Sequence, residues 1–299
     1  MTEFIGWILS SIWGGIYGFF WVLTHPVEAF NFGNAESVLR IVYYGASAEL
    51  LAFLLILFFV VFIAGIFRPN FLWGVVYGIE GVSNFVGRAA AWAGLIMVLQ
   101  QVLVIFMQSI FRASDIGIGP VGLVFEQPIG WYADGLKLYN ALVVCLCCAY
   151  TFVQGGHVRV DLFYAGWSHR AKRVSDMIVS LLFMVPALVI MWFYGWFYMW
   201  RNLIQPQISA TDTLDRILQR AMLFRADIQT FAASPSGFNG YFFFKVLLVL
   251  FAGMMILQAF AFFYRSFLEF REGEASAGKY LDHDAFTAEE EAAHAGGHQ

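Results

Sequence analysis

Gly155-Gly156-His157-Val158-Arg159-Val160-Asp161 is a short polar segment that joins two strongly apolar segments, at about 133–154 and 175–200. Each apolar segment is long enough to span a bilayer, because about 20 helical residues cover a hydrocarbon core of roughly 30 Å. Four cations lie within this connection: Arg159, Arg170, Lys172 and Arg173. By the positive-inside rule they predict that the connection lies on the cytoplasmic face. The stretch therefore predicts a membrane fold together with its orientation.

The composition is typical of an integral membrane protein. Of the 299 residues, 60% are hydrophobic and only 13% are charged, whereas soluble domains carry about 25% charged residues. The net charge of −4 argues against a nucleic-acid partner, because such proteins usually present a basic face. Cys145, Cys147 and Cys148 fall inside one predicted span and are interpreted as small packing residues, since no further metal ligands stand at the same depth.

The apolar segments predict an all-α, polytopic membrane helix bundle of about six transmembrane helices. The predicted spans are about 4–23, 46–67, 89–111, 133–154, 175–200 and 241–267. An amphipathic stretch with Glu80 and Arg88 precedes the third span. The distribution of cations predicts that both termini are cytoplasmic. The loop at 201–240 is an exception to this bias, because it contains four arginines.

A family signature is carried by the same connection. Tyr150-Thr151-Phe152, followed by His157-Val158-Arg159-Val160-Asp161-Leu162-Phe163-Tyr164, resembles the signature of the DctQ-type small permease subunit of TRAP transporters, the tripartite, ion-driven carriers of organic acids. The resemblance is to the mannitol/chloroaromatic-like branch and covers about 71–201 and 241–268. It implies a scaffold subunit in a bacterial inner membrane. Its expected partners are a large TRAP permease subunit, which carries substrate and ions, and a periplasmic substrate-binding protein.

Three regions depart from this pattern or extend it. Residues 1–70 are predicted to form an extra N-terminal transmembrane hairpin, ahead of a small-permease-like four-helix core at 71–268. An insertion at 202–240 replaces a shorter connection, and Thr211-Asp212 can cap an amphipathic helix at about 212–227. The tail at 269–299 is acidic and is predicted to be disordered and solvated. A metal-binding or docking tail is the alternative interpretation.

No residue is predicted to be catalytic, cofactor-binding or metal-binding, and no cofactor is expected. The chain lacks GxxxxGK[ST], HExxH and GxSxG, and no predicted span carries a mid-span histidine for haem. Apart from groups near the helix ends, the predicted spans are almost free of ionisable residues. Asp134 and Lys137, spaced i, i+3, can pair on one helix face. The residues expected to contact other subunits or membrane lipids are His157, Arg159, Asp161, Arg170, Lys172, Arg173, Asp134 and Lys137.

A second interpretation remains open for the whole chain. A small-permease-like protein could serve as a structural subunit of another membrane assembly, such as a photosynthetic reaction centre–antenna or respiratory complex. The extra hairpin and the insertion favour this alternative, because both change the surface and leave the core helices unaltered. So does the absence of an acidic run that the related branch carries before its last helix.

Overall fold

The computed structural model describes residues 2–118, 125–154, 166–204, 238 and 240–276. The predicted all-α, polytopic membrane bundle is confirmed. The helices in this part of the chain are α1 Thr2–Thr24, α2 Pro26–Ala29, α3 Ala35–Gly45, α4 Ala48–Phe67, α5 Pro69–Ser109, α6 Ile129–Val153, α7 His169–Val179, α8 Val185–Ile204 and α9 Phe242–Glu272. The proposed helix at 212–227 lies outside the described residues.

Within the described ranges, five helical segments are long and apolar enough to cross a membrane. They are Ala48–Phe67, Pro69–Ser109, Ile129–Val153, His169–Arg201 and Phe242–Glu272. These five segments correspond to the second to sixth predicted spans. The first predicted span corresponds to α1, in which Leu9–Thr24 forms a shorter apolar stretch.

The helix α5 is much longer than the span predicted at 89–111. Its 41 residues extend over about 60 Å at 1.5 Å per residue, twice the thickness of a hydrocarbon core. Pro69 occupies the first turn, where proline is tolerated. The first half of α5, expected to be a separate amphipathic stretch, instead continues the helix because its buried side chains pack against α9. Leu72, Trp73 and Val76 are among them.

Side-chain contacts fix the relative directions of the long helices. α5 runs antiparallel to α9, because Ser83 bonds to Gln258 while Trp73 bonds to Glu272. α4 runs parallel to α9: Tyr264 Oη donates to the Phe58 carbonyl at 2.9 Å, and Arg271 Nη1 to the Ile66 carbonyl at 2.7 Å.

Two further pairs of helices are antiparallel. α6 opposes α5, since Gly87 faces Tyr150 while Gln100 Nε2 donates to the Tyr132 carbonyl. α8 opposes α9, with Trp192 against Gly253 and Gly195 against Leu248 and Val249. The C-terminal ends of α4, α6 and α9 therefore lie at the same end of the bundle as the starts of α5 and α7. This end is called the basic end, and it carries Arg68, Arg170, Lys172, Arg173 and Arg271.

A π-helical turn joins α7 to α8. Ser180–Met184 forms this turn inside an otherwise continuous helix, two residues ahead of Pro186. Proline lacks the N–H that an α-helix would bond to the fourth residue before it, so a local irregularity is expected here. Ser180 is buried, and its hydroxyl donates to the Met177 carbonyl at 2.9 Å. The irregular turn therefore separates the polar helix α7 from the apolar helix α8.

The short helix α3 attaches the N-terminal region to α8. Trp192 Nε1 donates to the Gly45 carbonyl at 2.7 Å, and Trp196 Nε1 donates to the Val42 carbonyl at 2.9 Å. Gly45 permits this approach, because a Cβ built there would lie only 2.0 Å from the Trp196 ring. Val38 is fully buried in the same cluster. The region before α4 is thus packed on the bundle at the end opposite the basic end.

A small β-hairpin connects α5 to α6. The strands β1 Asp115–Ile118 and β2 Phe125–Pro128 are antiparallel, with Asp115 opposite Pro128 and Ile118 opposite Phe125. Tyr132 Oη donates to the Ile116 carbonyl at 3.3 Å, which ties the hairpin to α6. These two strands of four residues each were not among the elements that the sequence predicted.

Candidate functional site at the basic end

The eight predicted contact residues do not form one site in the described structure. His157, Arg159 and Asp161 lie outside the described residues. Arg170, Lys172 and Arg173 belong to α7, which begins at His169, so these cations stand on a helix rather than in the expected loop. Ser168 caps this helix by accepting a hydrogen bond from the Ala171 amide.

Arg173 points into the bundle, where it meets two carboxylates. Its Nε lies 2.7 Å from Glu269 Oε2 of α9, and its Nη1 donates to Asp176 Oδ2 at 3.1 Å. Only 18% of its side chain is exposed. A cation this deeply enclosed requires partners, because burial of an isolated charge is very costly. Arg173 therefore fixes α7 against α9.

Arg265 extends the same cluster to α5. Its Nε donates to Glu80 Oε1 at 2.9 Å, its Nη2 donates to Glu80 Oε2, and its Nη1 lies 3.7 Å from Glu269 Oε1. The two-point contact with Glu80 is the bidentate geometry that makes arginine–carboxylate pairs strong. Glu80, Arg265 and Glu269 are each less than 10% exposed. We call the group Glu80, Arg173, Asp176, Arg265 and Glu269 the Arg265 network.

Further polar contacts surround the Arg265 network and join the same helices. Ser83 Oγ donates to Gln258 Oε1 at 3.3 Å, and Trp73 Nε1 donates to Glu272 Oε1 at 2.9 Å. His169 Nε2 donates to the Glu269 carbonyl at 3.2 Å, and the Arg265 guanidinium lies 5.6 Å from the centre of the Trp73 ring. These contacts join α5, α7 and α9 into one polar junction.

The chemistry of this junction is structural rather than catalytic. Each arginine of the Arg265 network already lies against carboxylates. A general acid or base needs to reach a substrate proton, and the enclosed carboxylates at Glu80 and Glu269 do not present such a face. Among the described residues no group of three or more histidine, cysteine or carboxylate side chains is placed to hold a metal ion.

The structure adds buried charges that were not predicted from the sequence. Glu80, which precedes the third predicted span, and Arg265, near the end of the sixth, are buried between α5 and α9. Where the acidic tail is predicted to start, α9 continues to Glu272, a 3-10 turn follows at Glu274–Ser276, and Glu269 is only 1% exposed. Glu269 is retained in the helix because both arginines of the network bind it. Residues 277–299 lie outside the described structure.

A signal for these missed residues is visible in the sequence. Arg265 and Glu269 are spaced i, i+4 on one helix face, and Glu80 is the lone charge in an otherwise uncharged stretch at 69–87. Charged residues in spanning helices usually have a partner of opposite sign inside the bundle. The sequence therefore indicates that Glu80 and Arg265 have partners of opposite charge. That α5 and α9 supply these partners to each other is visible only in the tertiary structure.

The predicted pair on α6 is confirmed. Lys137 Nζ lies 2.8 Å from Asp134 Oδ1, and 64% of the lysine side chain is exposed. The three cysteines of α6 are free, and Cys147 Sγ donates to the Gly87 carbonyl at 3.2 Å. Gly87 allows this close packing of α5 on α6, because an added Cβ would lie 2.5 Å from Tyr150 Cβ.

A family comparison covers the part of the chain that builds α6 to α9. The family model described as "Tripartite ATP-independent periplasmic transporters, DctQ component" matches residues 121–269. This segment is DctQ-like. The family is one of transporter components, and together with the spanning helices the match indicates a multi-pass membrane protein. No curated protein and no solved structure matches the chain.

The DctQ-like segment begins at residue 121, later in the chain than the expected resemblance, which begins at about 71. The helix α5 therefore lies outside the match. Its second half was predicted to be the first helix of the core. The segment contains Arg173, Asp176, Arg265 and Glu269, whereas Glu80 comes from α5. The Arg265 network therefore joins the DctQ-like segment to the region that precedes it.

Proposed function

We propose that this protein is the small integral-membrane scaffold subunit of a TRAP-type, ion-driven organic-acid transporter in a bacterial inner membrane. The observation that carries the proposal is the family match over residues 121–269. The small subunit would brace a large permease that carries substrate and ions, and a periplasmic binding protein would deliver the substrate. The likeness to the mannitol/chloroaromatic-like branch is part of the same proposal.

The described geometry supports a bracing role. The buried charges at the basic end are bound to one another, so they hold α5, α7 and α9 together instead of facing a pathway. Large apolar side chains dominate the exposed surface of the long helices, and Phe85, Trp92 and Leu99 of α5 are each at least 60% exposed. In a bilayer such a surface faces lipid or another membrane subunit.

We propose the N-in, C-in orientation for the same reasons. The basic end collects cations from the α4–α5 junction, α7 and α9, and cations are enriched on the cytoplasmic side of membrane proteins. The C-terminal end of α9 lies at this basic end. The roles of His157, Arg159 and Asp161, and of Arg170, Lys172, Asp134 and Lys137, in subunit or lipid contact belong to this proposal.

A second candidate function is favoured by the extent of the match. Because α1 to α5 lie outside the DctQ-like segment, and α3 is fixed to α8 by two indole hydrogen bonds, this region adds a surface of its own. Such a surface would suit a structural subunit of a photosynthetic or respiratory assembly. The division into an extra hairpin at 1–70, a core at 71–268 and an acidic tail at 269–299 is part of the proposal.

One isolation experiment separates the two functions. The affinity-tagged chain is extracted from native membranes in a mild detergent, and its partners are quantified by mass spectrometry. The transporter proposal predicts a large multi-span permease at a stoichiometric amount, and the untagged strain gives the background. Recovery of reaction-centre, antenna or respiratory subunits without any such permease would overturn it in favour of the second function.

A further inference from the structure

An open groove runs along the outside of α7 at the basic end. Its walls are Trp167, Arg170, Ala171, Val174, Ser175 and Ile178 from α7 and the residues before it, with Phe270 from α9. The spacing of these α7 residues places them on one helix face. The groove therefore follows the helix from the basic end toward the apolar helix α8.

Charge lies at one end of the described wall of this groove. Among the wall residues that the structure describes, Arg170 is charged and the others are apolar or neutral. Arg170 is exposed, and the described part of the chain offers its guanidinium no ion-pair partner. Arg173, one turn away, is instead committed to Glu269 and Asp176 inside the bundle. The two arginines of α7 thus have different environments.

The rest of the groove becomes apolar with distance from Arg170. Val174 and Ile178 follow at one-turn intervals and are 38% and 49% exposed, and Phe270 closes the side toward α9. Trp167 stands beside Arg170 and is 48% exposed. Indole rings and arginines are the side chains that meet lipid head groups at a membrane surface, whereas aliphatic side chains face the acyl chains.

We infer that this groove binds one anionic phospholipid, with its phosphate at Arg170 and an acyl chain along Val174, Ile178 and Phe270. The polarity of the groove matches that of a lipid molecule, since its cation lies toward the basic end and its apolar part points along the helix into the spanning region. The inference does not depend on the transporter partner. It requires only that the basic end lies at a membrane surface.

The test uses the full chain, purified and delipidated in a neutral detergent. Dioleoyl-phosphatidylglycerol or dioleoyl-phosphatidylcholine is titrated in, and the bound lipid is counted by native mass spectrometry. We expect one phosphatidylglycerol to bind with about tenfold preference, as one partly exposed charge-assisted contact supplies roughly that factor. Arg170→Gln should remove this preference. Val174→Trp should weaken the binding of both lipids, because the larger side chain fills the groove.

The matched control is Arg201→Gln, which removes an exposed arginine at the far end of α8 and should leave lipid binding unchanged. Helicity and monodispersity of each variant establish that it is folded. Equal binding of the two lipids by the wild-type chain, or an unchanged preference in Arg170→Gln, would overturn the inference. Binding of inorganic phosphate as tightly as phosphatidylglycerol would also overturn it, because the apolar groove would then contribute nothing. Loss of a co-purified permease in Val174→Trp, with lipid binding intact, would assign the groove to a protein contact instead.

Discussion

The basic end and the opposite end of this bundle are held together by different interactions. At the basic end, α5, α7 and α9 meet through buried ion pairs between Arg265, Glu80, Glu269 and Arg173. At the opposite end, α3 meets α8 through two indole–carbonyl hydrogen bonds and apolar packing around Val38. Both junctions join the DctQ-like segment to the region before it.

This difference predicts unequal sensitivity to substitution. A buried ion pair is weak support for stability as a whole, because desolvation offsets much of the attraction. The loss of one partner is nevertheless strongly destabilising, because it leaves an uncompensated charge in the interior. An indole hydrogen bond to a backbone carbonyl is neutral on both sides, and its loss costs only about 1 kcal/mol. The basic end should therefore be the more fragile junction.

The largest expected effect is that of Arg265→Ala. This change leaves Glu80 and Glu269 buried without their shared cation, which is expected to lower the free energy of unfolding by about 3–5 kcal/mol. Unfolding in mixed detergent and SDS micelles, followed by circular dichroism, measures the loss. The control is Arg201→Ala, an exposed arginine, for which only a slight change is expected. Equal effects of the two variants would remove the distinction between the ends.

A smaller effect is expected for Gly45→Ala at the opposite end. The added methyl would lie 2.0 Å from the Trp196 ring, so α3 must shift and the Trp196 hydrogen bond weakens. Overpacking of this kind costs about 1–3 kcal/mol. The same unfolding assay measures it, and Gly18→Ala is the control because no atom lies within 4 Å of a Cβ added there. If Gly45→Ala lowered the free energy of unfolding no more than Gly18→Ala does, α3 would not be held against α8.

The smallest effect is expected for Asp134→Asn. The Asp134–Lys137 pair lies on the outside of α6, and its lysine is 64% exposed, so water and salt screen the attraction. The stability of this variant should equal that of the wild-type chain within error. A loss comparable with that of Arg265→Ala would mean that ion pairing outside the basic end also determines the fold.

Much of the fold was predictable because spanning helices must be long and apolar. The segments at 46–67, 133–154 and 175–200 leave little alternative in a bilayer, and the structure places helices over all three. The ends of helices were less predictable. The first half of α5 carries Glu80 and was predicted only as an amphipathic stretch before the third span, and its packing on α9 shows why it continues the helix.

The candidate site was harder to predict than the fold. Arg170, Lys172 and Arg173 stand close together in sequence and suggested one cationic surface, yet Arg173 turns inward while Arg170 lines an external groove. At i and i+3 the two arginines are only about 60° apart around the helix, so the packing of α9 against α7, which supplies Glu269 to Arg173, decides their different surroundings. The contact between Glu80 and Arg265 joins positions 185 residues apart, a separation at which a single sequence carries no pairing signal.

The claim that buried charge pairing holds the basic end is tested most directly by a double-mutant cycle on Glu80 and Arg265. The unfolding free energies of the wild-type chain, Glu80→Leu, Arg265→Leu and the double variant are measured in the same micelles. We predict that the double variant loses less than the sum of the single losses, with a coupling energy of about 2–3 kcal/mol. A coupling energy within about 0.5 kcal/mol of zero, the range expected of independent sites, would contradict the account.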